Sequence, residues 1–321
     1  MPPLKSLEQE FPMIDSNFRR FCASHGIFSV EDFLVNDLYV LTASAEREPI
    51  SEALKQGMAQ VLSVVDRQHQ PWLNGMDLLG DAWRNKRVLP TGCQGVDLLL
   101  QGGLREGLLV ELVGPSSSGK TQVCLHAAAH IVERLPGTVM FLDSGNSFSA
   151  ERISCILDLS STSTSLVNES KERRCHRVLS SISCQSVFDI FELLDVLHQL
   201  DITLRHQVKN EVTKLRLLII DSISSLITPI LGGKDSHGRS LMISAGSALK
   251  RLAFNHNLSV LVTNHMVGGE GGISKPALGE SWKSIPHVRL LLSRDHGSDL
   301  CIVSVLKHSS MALGCTAKFV I

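Results

Sequence analysis

The chain has 321 residues, of which 43% are apolar, 20% charged and only 5% aromatic, and this balance excludes a disordered chain. No run approaches the roughly 18 consecutive apolar residues of a membrane helix, and the first residues lack the features of a secretion signal, so we expect neither a membrane span nor export. The eight cysteines are widely spaced without a zinc-type cluster, which predicts reduced thiols in an intracellular protein.

The N-terminal quarter of the chain is acidic and has a helical pattern. Residues 1–80 contain 6 Lys and Arg against 11 Asp and Glu, a net charge of −5, whereas the remainder carries a net charge of +4. Apolar residues recur at three- and four-residue spacing between positions 18 and 65, and Ser29 and Ser51 stand where helices would begin. We therefore predict a helical protein-interaction domain at 1–67, because its charge repels a phosphate backbone.

A linker is predicted at 68–87, where a proline, two glycines and polar residues surround isolated apolar ones. Trp72 and Trp83 are its largest apolar side chains. Two interpretations remain open: these tryptophans anchor a partner protein, or they pack on the domain that follows.

Beyond residue 88 the pattern changes to short apolar runs that alternate with longer helical stretches. The runs lie at 108–114, 138–144, 215–222, 258–265, 287–293 and 300–306, with helical spacing at 121–135 and 188–200. This alternation predicts an α/β domain at 88–321, with a mostly parallel sheet between helices. The Ser- and Thr-rich segment 160–186, with its basic cluster, is typical of a solvated surface loop, or of a phosphorylated or nuclear-import segment.

The strongest signal is a phosphate-binding loop between a predicted strand and a predicted helix, the context in which the pattern G-x-x-x-x-G-K-T is specific. Its residues are Gly114, Pro115, Ser116, Ser117, Ser118, Gly119, Lys120 and Thr121. The glycines allow backbone NH groups to surround the phosphates, Lys120 reaches the terminal oxygens, and the Thr121 hydroxyl holds Mg²⁺. On this basis we predict ATP and Mg²⁺ as cofactors.

A carboxylate on the magnesium side should end a buried strand, and Asp221 follows the apolar run that begins at residue 215. Asp221 is either this magnesium-side aspartate or the N-cap of the next helix. Two further strands end in polar residues, Asp143 on one and Asn264 with His265 on the other. Because the carboxyl ends of parallel strands share one edge, we expect all of them to face one nucleotide site.

Together these segments resemble the ATPase core of the RecA family, in its eukaryotic and archaeal branch. The resemblance rests on TGCQGVDLLLQGG, GKTQVC, FLDSGNSFSAERI, LLIIDSISSL, VLVTNHM and KPALGESW, and it covers about residues 85–310. Within that branch, SVFDIFELLDVLHQL, LITPILGG and KPALGESW look most like the D-type group of paralogues of the strand-exchange recombinase. The resemblance implies a RecA-like P-loop ATPase fold, a nuclear location and a role in homologous-recombination repair of DNA damage.

The same resemblance reveals departures from active recombinases. Gly145 stands at the position of the glutamate that polarises the attacking water, which implies slow ATP hydrolysis. Arg152 matches the family's adenine-stacking arginine, but the proline of that motif is absent, so a solvated helix arginine is the alternative. His265 replaces the glutamine that senses the terminal phosphate and can still donate a hydrogen bond. The resemblance thus implies a weak, DNA-stimulated ATPase that uses Lys120, Asp221 and His265.

Recombinases of this family hold single-stranded DNA with two loops, which correspond to 228–240 and 266–283 here. The cations of these loops are Lys234, Arg239, Lys275 and Lys283. Nearby acidic residues oppose these cations, and stacking on the bases rests on Trp282 alone, which implies weak, salt-sensitive binding of single-stranded DNA. A plain flexible loop remains the alternative.

Active recombinases also assemble through a Phe-x-x-Ala motif in the linker, and no phenylalanine occurs here between Phe33 and Phe141. The resemblance therefore implies a hetero-oligomer with other recombinase paralogues and no stable self-filament. The leading hypothesis is an ATP-binding accessory subunit that supports recombinase filaments on single-stranded DNA. Two alternatives stay open: an autonomous ATP-driven strand-exchange recombinase, and a RecA-like motor unrelated to DNA repair.

Overall fold

The structure is a computed structural model. It describes residues 3–8, 11–68, 74–85, 87–160, 170–207, 213–232, 237–268, 274–294 and 299–320. The chain divides into two compact units, 1–78 and 79–321. Trp72 and the side chain of Trp83 lie outside the described residues, and the domain limits 1–67, 68–87 and 88–321 stay predictions. Within the described ranges, no helix has the length and apolar character needed to cross a membrane.

The N-terminal unit is a small helical core. It contains a 3-10 turn at Leu4–Leu7 and the helices α1 (Ser16–Ser24), α2 (Val30–Val35), α3 (Leu38–Ala45) and α4 (Ser51–Gln68). The predicted helix start at Ser29 is confirmed, because its hydroxyl accepts from the Asp32 NH while the Asp32 carboxylate accepts from the Ser29 NH. Apolar side chains from these helices, among them Phe18 and Phe33, are buried together.

The segment predicted as a linker contains a helix, α5 (Gly75–Asn85), and the division between the two units falls inside it. After it come β1 (Val88–Leu89), α6 (Gln94–Leu99), β2 (Leu104–Arg105), β3 (Leu109–Gly114), α7 (Lys120–Arg134), β4 (Thr138–Asp143), α8 (Ala150–Ser160), α9 (Lys171–Ser180) and β5 (Ile182–Ser186). The remaining elements are α10 (Ile190–His206), β6 (Leu215–Asp221), α11 (Ile223–Ile227), α12 (His237–His256), β7 (Ser259–Gly268), β8 (Ser274–Pro276), α13 (Gly279–Lys283), β9 (Val288–Arg294), β10 (Leu300–Lys307) and β11 (Thr316–Val320).

A mainly parallel sheet forms the centre of the second unit. Among the described residues its strand order is β11-β10-β9-β3-β7-β6-β4-β5, with β8 paired to the end of β7. The strands from β9 to β5 run parallel, while β10 and β11 extend the sheet antiparallel. The carboxyl ends of β3, β7, β6 and β4 therefore lie at one edge, as the sequence predicted.

Helices cover both faces of this sheet, because successive side chains of a buried strand point to opposite sides. On β3, Leu112 packs in a core that includes Ala128 of α7, whereas Leu109 packs in a second core that includes Leu249 of α12. The prediction of a mostly parallel sheet between helices is confirmed.

The segment 160–186 is not simply a surface loop. Ser160 ends α8, and residues 170–186 form α9 and the edge strand β5, so the surface-loop interpretation is wrong there. Ser170 caps the helix, Val178 is buried, and Arg174 forms an ion pair with Glu133 of α7. These contacts stabilise a helix in a segment whose Ser-rich composition does not indicate one. Residues 161–169 lie outside the described part.

Candidate nucleotide site

The phosphate loop turns sharply between β3 and α7 and depends on two glycines. Gly119 has a left-handed backbone with φ 97°, which favours glycine. A β-carbon at Gly114 would overlap the side chain of Ser118 and the backbone carbonyl of Leu292. Because α7 begins at Lys120, directly after the loop, the unpaired NH groups of its first turn adjoin the loop, as an anion site at a helix N-terminus requires.

Lys120 folds back onto the loop that precedes it. Its Nζ donates to the carbonyl oxygens of Gly114 and Pro115, each at 2.8 Å, and the residue is only 6% exposed. Burial lowers the pKa of Lys120, and the nearby Asp221 carboxylate opposes this shift. The ammonium group is thus held within the loop by acceptors that phosphate oxygens can replace.

Asp221 and Thr121, the predicted magnesium-side pair, are in direct contact. Thr121 Oγ1 donates to Asp221 Oδ2 at 2.6 Å, and Thr263 donates to the other carboxylate oxygen. The N-cap of α11 is Ser222, whose hydroxyl accepts from the Ser225 NH, so the N-cap interpretation of Asp221 is wrong. A hydroxyl and a carboxylate side by side are the hard oxygen ligands that Mg²⁺ prefers.

Asp143, at the end of β4, organises the loop that follows it. Its carboxylate accepts from the NH groups of Gly145 at 3.0 Å and Phe148 at 2.8 Å, and from Ser147 Oγ at 3.2 Å. Burial raises the pKa of Asp143, but these hydrogen bonds outweigh it and the pKa lies below its ordinary value. Ser147 Oγ also lies 3.3 Å from Asp221 Oδ2. Gly145 is exposed, and a β-carbon there would meet no described atom within 4 Å.

Asn264 and His265, adjacent residues of β7, point to opposite faces of the sheet. His265 lines the cleft, with Nε2 3.1 Å from Ser222 Oγ. Asn264 is fully buried, with Nδ2 2.7 Å from Glu111 Oε1, so the expectation that it faces the nucleotide is wrong. Burial lowers the pKa of His265, and the positive charge of Lys120 lowers it further, so the imidazole is neutral at pH 7.

Arg152 lies in the first turn of α8, next to the cleft. Its Nε donates to Gln122 Oε1 at 2.7 Å, and its side chain is half-buried. Gln122 itself lines the cleft. The role of Arg152 as an adenine contact stays a prediction, but its hydrogen bond to Gln122 holds its guanidinium beside the cleft.

The cleft at this edge of the sheet has a volume of about 320 Å³. Its lining includes Ser116, Ser117, Ser118, Gly119, Lys120, Thr121, Gln122, Asp221, His265 and Arg294. Sequence reasoning missed Arg294, the last residue of β9. The signal for it was a cation directly after an apolar run, at the carboxyl end of a strand that lies parallel to β3.

The predicted DNA-binding cations are not among the described residues that line the cleft. Lys234 lies outside the described residues; Arg239 is exposed in the first turn of α12, and Lys275 is exposed on β8. Lys283 is exposed and forms an ion pair with Glu280 at 3.3 Å. Their role stays a prediction.

Trp282 is fully buried, and its Nε1 donates to Glu111 Oε1 at 2.8 Å. The expectation that Trp282 stacks on DNA bases is therefore wrong, because its ring is inaccessible. Glu111 also pairs with the buried Arg289, so the tryptophan serves a buried polar network that joins α13 to β3 and β9.

Comparison with known proteins settles the family. A family model described as Rad51 matches residues 84–312. The chain belongs to the Rad51 family. Over 247 residues it is 36% identical to the DNA repair protein RAD51 homolog 4 of Bos taurus, an alignment that covers 75% of this chain and 73% of the relative. The homolog 4 protein of Mus musculus is 35% identical over 227 residues, 70% of this chain and 67% of the relative.

The Rad51 family assignment confirms the resemblance to the RecA recombinases and, within them, to the D-type paralogues. Protein RecA of Saccharopolyspora erythraea is 39% identical over 102 residues, 31% of this chain and 28% of the relative. RecA and Rad51 proteins are DNA-dependent ATPases that bind ATP, usually with Mg²⁺. The RecA-like fold is confirmed.

Proposed function

We propose that this Rad51-family chain is an ATP-binding accessory subunit of homologous-recombination DNA repair, which acts in a nuclear hetero-oligomer of recombinase paralogues. The observation that carries the proposal is an intact phosphate loop with its Thr121–Asp221 pair, next to Gly145 in place of a glutamate. The site keeps the groups that bind a nucleotide and lacks the carboxylate that would activate water there.

Binding of ATP is supported by the loop geometry. Backbone NH groups between Gly114 and Thr121 would surround the phosphates, and the Lys120 ammonium would exchange its loop carbonyls for phosphate oxygens. Thr121 and Asp221 would hold Mg²⁺, which neutralises phosphate charge when bound. Arg152, held at the cleft by Gln122, would contact the adenine.

Slow hydrolysis follows from the loop after β4. Positioning of the attacking water by a general base contributes about 10²- to 10⁴-fold to a rate, and the side chain needed for it is absent at Gly145. His265, whose Nε2 lies 3.1 Å from Ser222 Oγ, would sense the terminal phosphate as a neutral hydrogen-bond donor. ATP then acts chiefly as a ligand that stabilises the folded chain and its complexes.

Assembly with other paralogues is supported by the N-terminal unit and by the relatives. Relatives of this chain include the RAD51 homolog 2, homolog 3 and XRCC3 homolog proteins, all named as DNA repair proteins or their homologues. The N-terminal region has a net charge of −5 and suits protein contacts better than DNA. Trp72 and Trp83 remain candidate anchors for a partner. Single-stranded DNA binding would be weak, through Lys234, Arg239, Lys275 and Lys283.

The decisive experiment is affinity purification of the full-length chain from the cells that express it, followed by identification of stoichiometric partners. We expect other Rad51-family chains in fixed ratio, and no filaments when the purified chain alone is placed on single-stranded DNA in electron micrographs. Extended filaments and strand exchange by the chain alone would instead establish an autonomous recombinase.

A further inference from the structure

Arg294, which no sequence motif indicated, ends β9 beside the phosphate loop. Leu290 and Leu292 of the same strand are buried in the core that contains Val123 of α7. Because alternate residues of a strand share a face, Arg294 continues this face beyond the core, where the loop lies. The backbone at Leu292 already abuts Gly114, since a β-carbon at that glycine would overlap the Leu292 carbonyl. The guanidinium therefore lines the same cleft as Lys120.

The charge of the cleft lining depends on this arginine. Among the described lining residues, the acidic and basic side chains other than His265 are Lys120, Asp221 and Arg294. Burial, with the charge of Lys120, keeps the pKa of His265 below its ordinary value, so that residue adds no charge. The charges of Lys120 and Asp221 oppose each other, so Arg294 supplies the excess of positive charge among the lining side chains. With Arg294 the lining has a net positive charge, on a planar group that matches phosphate oxygens.

Asp299, at the other side of the β9–β10 connection, forms an ion pair with this arginine. Arg294 Nη2 lies 2.8 Å from Asp299 Oδ1, and the two side chains are 32% and 79% exposed. An ion pair this exposed contributes little to stability, and a carboxylate oxygen is the same kind of acceptor as a phosphate oxygen. Exchange of one acceptor for the other leaves Asp299 in water, with no buried charge unpaired.

We propose that Arg294 binds the phosphate chain of a nucleoside triphosphate in this cleft, and that the Asp299 carboxylate competes with the nucleotide for it. The proposal rests on the proposed function, because it requires ATP on the phosphate loop. It adds to that function a second cation from another strand and a competitor within the same chain.

Binding of Mg²⁺-ATP and Mg²⁺-ADP to the full chain, measured by isothermal titration calorimetry at low salt, tests this proposal. Arg294→Ala should weaken ATP binding about tenfold, as expected for loss of hydrogen bonds to a charged group, and Arg294→Lys should recover part of the loss. Asp299→Asn should act in the opposite direction and tighten binding about two- to threefold. The matched control is Arg205→Ala, which removes an arginine paired with Asp201 at 2.7 Å on the surface of α10.

Weaker ATP binding in Arg294→Ala and tighter binding in Asp299→Asn would support the assignment, provided that the midpoints of thermal unfolding and the Arg205 control are unchanged. A merely structural role of the ion pair would not tighten ATP binding in Asp299→Asn. Wild-type affinity in Arg294→Ala would overturn it. So would equal losses in the Arg294 and Asp299 variants. If instead the wild type bound no ATP and Lys120→Ala changed nothing, the nucleotide site itself would be refuted, a result distinct from failure at Arg294 alone.

Discussion

Thr121 and Asp221 are 100 residues apart in the chain, yet the threonine hydroxyl lies 2.6 Å from the aspartate carboxylate. The first follows β3 and the second ends β6, two strands separated by β7 alone in the sheet. Thr263, on the intervening β7, bonds the other oxygen of the same carboxylate. The aspartate carboxylate is thus positioned by two side chains of its own chain, which reduces the reorganisation that a bound cation would require.

Lys120→Ala should weaken ATP binding about tenfold or more, because the variant lacks the loop ammonium that would donate to phosphate oxygens. Circular dichroism should stay unchanged, since the loop keeps its glycines and α7. Lys171→Ala, which breaks an exposed ion pair with Asp158 at 2.6 Å, is the matched control. Unaltered ATP affinity in the Lys120 variant would exclude the phosphate-loop assignment.

Gly145→Glu should raise steady-state ATP hydrolysis about tenfold, less than the roughly 10²- to 10⁴-fold that a fully positioned general base contributes. The space is open, because a β-carbon there meets no described atom within 4 Å. Gly75→Glu, which adds the same charge at another open glycine in the N-terminal unit, should have no effect. Asp221→Asn should remove the gain. A wild type as fast as Gly145→Glu would mean that another group activates water.

Glu111→Ala should lower the free energy of unfolding by about 3–5 kcal/mol, because it leaves Arg289 buried without its carboxylate. Trp282→Phe, which removes the hydrogen bond from Nε1 and part of the buried ring, should cost at least about 1–3 kcal/mol. Lys283→Ala, at an exposed ion pair of the same helix, should stay within about 0.5 kcal/mol. Urea titrations of the three variants give these values, and equal stabilities would show that the network contributes nothing.

Acid should destabilise the protein through His126. Burial lowers the pKa of His126 to about 4 from 6.5, with help from Arg152 and His130, and its Nε2 is buried without a partner among the described residues. Above pH 6.5 the His126 imidazole is neutral in both the folded and the unfolded state. Between pH 6.5 and pH 4 it is protonated in the unfolded state only, so the free energy of unfolding falls towards pH 4. We expect about 2 kcal/mol over this window after allowance for partial exposure.

The measurement is urea unfolding between pH 7 and pH 4 for the wild type and His126→Phe. The variant should lose that part of the slope, whereas His206→Phe, at an exposed position of α10, should keep it. Parallel curves for His126→Phe and the wild type would contradict the assignment.

Single-stranded DNA binding should weaken when the loop cations are removed. Each cation that pairs with a phosphate adds about 0.7 to the slope of log affinity against log salt, and its removal should reduce the slope by that amount. The test variant has alanine in place of Lys234, Arg239, Lys275 and Lys283. The control has alanine in place of three cations of the N-terminal unit, Lys5, Arg47 and Lys55. Fluorescence anisotropy with a labelled single-stranded oligonucleotide, at several salt concentrations, compares the affinities of the two. Equal affinities of the two would mean that DNA does not bind at these loops.

The fold class, the phosphate loop and the strand that carries Asp221 could all be predicted from the order of the amino acids. Local sequence patterns specify these features: apolar runs of strand length, and glycines where a turn must precede a helix. The same holds for the capping arrangement at Ser29, whose partner Asp32 is three residues away. These features can be predicted because each depends on residues that are close together in the sequence.

Which polar side chains share a space could be learned only from the folded chain. Trp282 lies in a segment with the charges of a DNA loop, yet its ring is buried and its NH donates to Glu111, 171 residues earlier in the chain. Asn264 and His265 look equivalent in the sequence, but strand alternation sends one to that buried carboxylate and the other to the cleft. Arg294 enters the site because β9 pairs with β3 in parallel register. Burial and hydrogen-bond partners of this kind depend on strand order and register, which pairs of residues distant in the chain set together.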